Sequence, residues 1–239
     1  MLFRSGNTPG VLSGTTAEIA WALILATARR VTEAERLVRA DRWGSAGFGV
    51  LVGVDVGGAT LGIVGMGRIG QEVARRALGF RMEVLYHQRR RLDPSIEREL
   101  NATYVPFEAL LERSDFVSVH APATPETRHL MNAAAFARMK PGAILINTSR
   151  GTLVDQEALI AALDAGRLRA AGLDVTDPEP IAADHPLVGR DDIVVLPHIG
   201  SATHATRAKM TEMCVKNLLA ALHGERMPWV VDPAVYDRP

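Results

Sequence analysis

Cysteine is nearly absent from this chain of 239 residues, and the single one, Cys214, rules out an internal disulfide. A reducing, cytoplasmic setting is therefore expected. Cys214 falls within a helical apolar pattern, which predicts a core thiol. Net charge is absent too. Lys and Arg number 27 and Asp and Glu number 27, so no global field draws the chain to nucleic acid or to a membrane surface. The longest largely apolar run, Ile19 to Ala28, is far too short to span a bilayer. No basic segment followed by an apolar core opens the chain, so no signal peptide is expected. The seven histidines are scattered, with no pair at zinc-ligand spacing, and no metal site is expected. Repeats and low-complexity tracts are missing as well.

What is present is a chain with 47% apolar residues, enough to bury a sizeable core. A helix is predicted from about Thr16 to Arg39. Ile19, Trp21, Leu23, Ile24 and Leu25 make it apolar nearly all round at first, and Arg36 and Arg39 come late, where a helix C-terminus favours cations. A segment rich in Gly and Val follows, from Trp43 to Gly58. Short, nearly all-apolar runs then alternate with helical patterns. Strands are predicted at Thr60–Gly65, Met82–Tyr86, Phe116–His120, Ala143–Thr148, Ala170–Val175 and Ile193–Leu196. Helices are predicted at Ile69–Leu78, Asn132–Met139 and Gln156–Ala165, with a last one at Ala205–His223. Apolar strands separated by helices predict an α/β fold with a parallel sheet covered on both faces.

One segment carries a specific physical signal. Thr60-Leu61-Gly62-Ile63-Val64-Gly65-Met66-Gly67-Arg68-Ile69-Gly70 reads as a strand entering G-x-G-x-x-G and then a helix. Gly65 permits a tight turn, Gly67 lets the backbone approach a pyrophosphate, and Gly70 lets the helix pack on the strand. The helix start offers free N–H groups and a partial positive charge to phosphates. Many Gly-rich turns bind nothing, but here the strand before and the helix after supply the context of a dinucleotide site. An NAD enzyme usually ends the next strand with an acid that accepts from the ribose 2′-OH. Here that strand ends Tyr86-His87-Gln88-Arg89-Arg90-Arg91, with no acid until Asp93. A carboxylate would repel a 2′-phosphate, whereas Arg89 or Arg90, beside Gln88, can grip one through parallel N–H bonds. A solvated charge run without a ligand is the competing reading.

Three more polar groups fall at later strand ends. Arg150 follows Ile144-Leu145-Ile146-Asn147-Thr148-Ser149, Asp174 and Glu179 follow Ala171-Gly172-Leu173, and His198 follows Val194-Val195-Leu196-Pro197. Ligands of open α/β sheets bind beyond the carboxyl ends of the strands, so these positions can share one crevice. Arg, a carboxylate and His suit the reduction of a 2-keto acid. Arg150 would hold the carboxylate and polarise the keto oxygen, His198 would give that oxygen a proton, and Glu179 would favour the protonated imidazole. Each alone could equally be a structural ion pair or a cap.

Five segments together go further: Asn7-Thr8-Pro9-Gly10-Val11-Leu12, Gly62-Ile63-Val64-Gly65-Met66-Gly67-Arg68-Ile69-Gly70, Asn147-Thr148-Ser149-Arg150-Gly151, Gly172-Leu173-Asp174-Val175 and Leu196-Pro197-His198-Ile199-Gly200-Ser201-Ala202-Thr203. In order and spacing the chain resembles the D-2-hydroxyacid dehydrogenase family over about Asn7 to Pro228, most of all its glyoxylate/hydroxypyruvate reductase branch. The resemblance implies a Rossmann-type, doubly wound parallel sheet and an NAD(P)-dependent oxidoreductase. It implies that Arg150, Glu179 and His198 are catalytic. It also implies that Gly65, Gly67, Arg68, Ile69, Gly70, Gln88, Arg89, Arg90, Pro122, Thr127, Thr148, Asp174 and Gly200 lie along the cofactor. The expected cofactor is NADP, with NAD the alternative, and the expected partners are a small 2-keto or 2-hydroxy acid and a second copy in a homodimer.

By the same resemblance, residues 12–203 would form the NAD(P)-binding domain with a dimerisation helix and loop. Residues 1–11 and 204–239 would be remnants of a second, substrate domain. The family normally carries roughly a hundred residues before the Asn-Thr-Pro-Gly segment, the size of a small domain. This sequence has six, so weak turnover by the chain as written is expected. A non-catalytic dinucleotide-binding or regulatory protein of the same fold is the alternative.

Overall fold

The computed structural model describes residues 4–45, 47 and 49–237. Residues 1–3, 238 and 239 of the expected flanking remnants, and residues 46 and 48 of the loop after Trp43, lie outside the described residues. Seven strands, β1 (Thr60–Val64), β2 (Glu83–His87), β3 (Ala102–Tyr104), β4 (Phe116–Val119), β5 (Ala143–Asn147), β6 (Leu168–Leu173) and β7 (Ile193–Val195), form one sheet in the order β3-β2-β1-β4-β5-β6-β7. Every pairing is parallel. Strand order reverses between β1 and β4, and this switch point opens a crevice at the carboxyl edge.

The helices are α1 (Ser13–Ala28), α2 (Val31–Arg39), α3 (Arg68–Ala77), α4 (Pro94–Leu100), α5 (Phe107–Arg113), α6 (Ala133–Arg138), α7 (Gln156–Asp164) and α8 (His204–Leu222). The strands are buried on both faces, which is why they read as unbroken apolar runs. On one face Leu110, Leu111, Phe136, Leu159 and Leu163 pack on Val117, Leu145 and Ala171. On the other, Trp21, Leu23, Val73 and Leu100 pack on Ile63, Tyr86 and Ile146. Each fully buried Leu, Ile or Phe contributes about 1.5–3 kcal/mol of transfer free energy. This is the expected doubly wound α/β fold.

Two expectations need correcting. The helix predicted from Thr16 to Arg39 is two helices. Arg30 adopts left-handed φ/ψ of 53° and 37° and pairs with Glu33 through a two-pronged fork. All of the buried surface is on α1, which packs on α3, β5 and β6, while α2 buries no residue. The chain turns where the core ends, and no Gly or Pro announces it. Cys214 is exposed, not a core thiol. The inward face of α8 carries Thr206, Met213, Asn217 and Ala220, and Cys214 is one helical step, about 100°, away from Met213. Val215, Leu218, Leu219 and Leu222 on this helix are exposed too. Among the described residues no helix is long and apolar enough to cross a membrane. Three short elements have no counterpart in the predicted string: β3, α4 and α5.

Candidate active site

The Gly-rich turn leaving β1 is shaped by what its glycines lack. Gly65 has φ +95°, and a Cβ there would lie 2.7 Å from the backbone nitrogen of Ala121 in the loop after β4. A Cβ on Gly70 would overlap the Gly65 carbonyl oxygen. Gly67 is the opposite case. Nothing lies within 4 Å of its would-be Cβ, and it caps α3 with no side-chain hydrogen bond. Open space in front of an uncapped helix start is what a pyrophosphate requires, so the residues present fit a dinucleotide. Arg68 and Ile69 open that helix. Together with Gly67, Asn7–Gly10 and His120 they line a cleft.

Beside the cradle, the end of β2 is tied to it. The Gly65 N–H donates to the His87 carbonyl at 2.9 Å, and the Met66 N–H donates to Gln88 Oε1 at 3.1 Å. The Gln88 Nε2 amide donates to the Arg90 carbonyl at 2.6 Å. Gln88 thus supports the turn from behind with both ends of its side chain. Arg89 and Arg90 are exposed, and among the described residues neither forms an ion pair.

At the next strand ends, Pro122 and Thr127 organise one loop, with Thr127 Oγ1 donating to the Pro122 carbonyl at 2.7 Å. Buried Asn147 shapes the loop after β5. Its Oδ1 accepts from the backbone N–H and hydroxyl of Ser149, each at 3.0 Å, and its Nδ2 donates to the Arg150 carbonyl at 2.9 Å. The Arg150 guanidinium stays exposed and engages no carboxylate among the described residues. Gly151 presses this loop on the one after β6, where a Cβ would overlap the Thr176 carbonyl. There the Thr176 N–H donates to Glu179 Oε1 at 3.0 Å, and Glu179 Oε2 lies 2.9 Å from His198 Nδ1.

His198 has φ +55°, a conformation that costs energy for any residue but Gly unless its surroundings hold it. Asp174 is the holder. It is 1% exposed, and its two oxygens accept from the Ile199 and Gly200 N–H groups, each at 2.8 Å. Burial pushes its carboxyl above the usual range, against those two bonds. The Gly200 carbonyl in turn accepts from Thr16 on α1 at 3.3 Å.

Glu179 and His198 therefore meet directly, and the Arg150 loop reaches them through backbone contact at Gly151. The glycines, Arg68, Ile69, Thr148, Asp174 and Gly200 lie along the same carboxyl edge. Sequence reasoning missed Asn147 and His120. His120 Nε2 lies 2.8 Å from Ser118 Oγ and its Nδ1 lies 3.4 Å from Thr148 Oγ1. Burial of the ring pushes its pKa down to about 4, so this imidazole is neutral at ordinary pH. The signal was available: His120 ends a strand, just as Arg150 and His198 follow theirs. A second concavity, at the amino edge, is lined by Arg30, Glu33, Arg190, Asp191 and Asp192. These five groups are held in ion pairs, whereas Arg169, which lines the same cleft, forms none among the described residues.

Comparison with known proteins agrees with this geometry. Residues 21–200 match the family model described as D-isomer specific 2-hydroxyacid dehydrogenase, NAD binding domain. A glyoxylate reductase of Korarchaeum cryptofilum is 52% identical over 96% of this chain and 69% of its own length. The glyoxylate/hydroxypyruvate reductase B of Salmonella newport is 50% identical over 95% of this chain and 70% of its own. The crystal structure of the TT0316 protein from Thermus thermophilus superposes with a TM-score of 0.89 at 50% identity, covering 96% of this chain and 72% of that one.

Proposed function

The chain belongs to the D-isomer specific 2-hydroxyacid dehydrogenase family, an oxidoreductase family with a nicotinamide-binding domain, and from that premise we propose that it reduces glyoxylate or hydroxypyruvate with NADPH. The observation that carries the reading is the 2.9 Å contact between Glu179 and His198, set at the same carboxyl edge of the sheet as the glycine cradle.

In this reading the N–H groups that open α3, with Arg68 and Ile69, hold the pyrophosphate, and Pro122, Thr127, Thr148, Asp174 and Gly200 line the rest of the cofactor's path. Arg89 and Arg90 take the 2′-phosphate, with Gln88 supporting them. The bound nicotinamide supplies a hydride. Arg150, with no carboxylate partner, grips the substrate carboxylate through a fork worth about 1.5–3 kcal/mol and draws electron density to the keto oxygen. His198 delivers a proton from Nε2 while Glu179 holds Nδ1. This step is worth about 10²–10⁴ in rate. Neutral His120 adds no second cation to compete for the substrate carboxylate.

The division at residues 12 and 203 into a dinucleotide-binding unit and flanking remnants belongs to the same proposal. So do a cytoplasmic setting and a homodimer, the latter supported by the exposed apolar groups Val38, Trp43, Val50 and Val52 on α2 and the loop beyond it.

Titration with NADPH and NADH, and assay with both keto acids, test the reading. NADPH should bind and serve more tightly. Arg89→Ala should weaken NADPH by about 1.5–3 kcal/mol and leave NADH nearly untouched. Equal affinities for the two dinucleotides in the unaltered protein would sink the selectivity.

A further inference from the structure

Three arginines stand in a row at the end of β2, and chemistry alone gives no reason to treat them differently. The structure separates them. Arg89 and Arg90 are exposed and form no ion pair among the described residues, whereas Arg91 reaches α4. Its Nε donates to Glu97 Oε1 at 2.9 Å and its Nη2 to Glu97 Oε2 at 2.8 Å, a two-pronged fork. Glu97 is 8% exposed and holds a third bond, from the buried Tyr86 hydroxyl at 2.7 Å. That same hydroxyl accepts from the Leu92 N–H at 2.9 Å. Tyr86 is fully buried on β2, between β1 and β3, so the network ends in the rigid sheet. The turn is therefore fastened twice. Gln88 ties its start to the glycine cradle, and Tyr86 and Glu97 tie its end to the core.

We propose that Glu97 is a positioning residue for cofactor selectivity: with Tyr86 it locks Arg91 as a strut, so that the turn presents Arg89 and Arg90, and only those two, to the 2′-phosphate. This rests on the reading that Arg89 and Arg90 meet that phosphate. A preformed turn meets the ligand without first being ordered, which strengthens binding at no change in the contacts made. The fork has a second effect. It cancels the negative charge of Glu97, the acid that would otherwise oppose an anion bound at this turn. The state of the groups agrees: the Arg91 fork holds the Glu97 carboxyl below its ordinary range, and burial together with the Glu97 bond pushes the Tyr86 hydroxyl up to about 12.

The test turns on a sign. Glu97→Gln makes the turn more positive by one charge and releases Arg91, so electrostatics by itself, or an Arg91 that binds phosphate, tightens NADPH. Loss of the frame weakens it. Fluorescence titrations of the full chain with NADPH and NADH should show Glu97→Gln and Arg91→Ala each weakening NADPH about fivefold, the scale of one coupling inside a hydrogen-bonded network. The double variant should lose no more than either single, and NADH affinity should stay within about twofold, which reports an intact cradle. Tyr86→Phe, which keeps the ring in the core, should fall the same way to a smaller extent. Unchanged or tighter NADPH binding by Glu97→Gln overturns the proposal, as does an additive loss in the double variant. If Arg89→Ala weakens NADPH selectively while Glu97→Gln does not, the frame is wrong and the selectivity stands. If Arg89→Ala has no NADPH-specific effect, both fall.

Discussion

Both edges of the sheet carry charge, and they use it differently. At the amino edge, acids that precede or open strands are engaged by cations. Asp115 pairs with Lys140, Glu83 with Arg113, Asp191 with Arg36, and Asp192 with Arg190, which also reaches Asp164. At the carboxyl edge Arg68, Arg89, Arg90 and Arg150 form no ion pair among the described residues, although Arg91 and Arg128 there pair with Glu97 and Asp177, and Asp174 and Glu179 are engaged by backbone N–H groups and by His198. A cation left without a counter-charge costs little at the surface and keeps its full attraction for an incoming anion. In the proposed reading the anionic dinucleotide and keto acid would meet such cations at the carboxyl edge. The lesson is that the balance of paired and unpaired charge, more than concavity, distinguishes the two edges: both have a cleft, and among the charged groups lining the amino-edge one Arg169 alone of the described residues has no ion pair.

The comparison can be broken at its strongest point first. His198→Ala should lower reduction of glyoxylate or hydroxypyruvate by about 10²–10⁴, as loss of a general acid does, with the melting temperature and NADPH affinity nearly unchanged. A variant that melts early instead would make His198 a structural group and erase the contrast between the edges.

A smaller effect is expected at His120, the carboxyl-edge group that is neutral by burial. Its folded pKa of about 4 lies below the unfolded value of about 6.5, so the unfolded chain binds more protons between those limits. The stability it supports is therefore present above pH 6.5 and is lost as pH falls toward 4, by on the order of 1–3 kcal/mol. Denaturation of the native chain and of His120→Gln, compared between pH 7 and pH 4.5, checks this. The gap between them should narrow or reverse as pH falls, and parallel curves would show that burial does not hold the ring neutral.

The smallest effect belongs to the amino edge. Arg190→Ala should cost about 1 kcal/mol in stability, because the pairs are partly exposed, and should leave turnover alone. A change in turnover larger than the change in stability would show that the paired edge reaches the chemistry after all.

Much of the carboxyl edge was legible in the sequence, for one reason. Gly65, Gly67 and Gly70 stand where backbone must approach backbone or ligand, and Arg150, Asp174, Glu179 and His198 follow strands whose apolar runs mark them as buried. Backbone demands and burial leave traces in the order of residues. The features that were not legible depend on which groups meet across the fold. Arg30 takes a left-handed turn with no Gly to signal it, because the sheet ends there. Cys214 is placed outside by one helical step. Gln88 reads as a phosphate contact from its position, yet both ends of its amide are engaged by Met66 and Arg90. Arg91 looks like its two neighbours until Glu97 is seen beneath it. The three-residue β3 and the seven-residue α4 and α5 are too short for a period to declare itself.

The contact between Gly151 and Thr176 sets a limit on how this site can be redesigned. The loop bearing Arg150 and the loop bearing Glu179 touch main chain to main chain, with no side chain between them to enlarge, shrink or shim. The spacing of these two loop backbones is thus set by the scaffold. A library aimed at longer or bulkier keto acids gains nothing from randomising Gly151, since any residue but glycine drives the two loops apart.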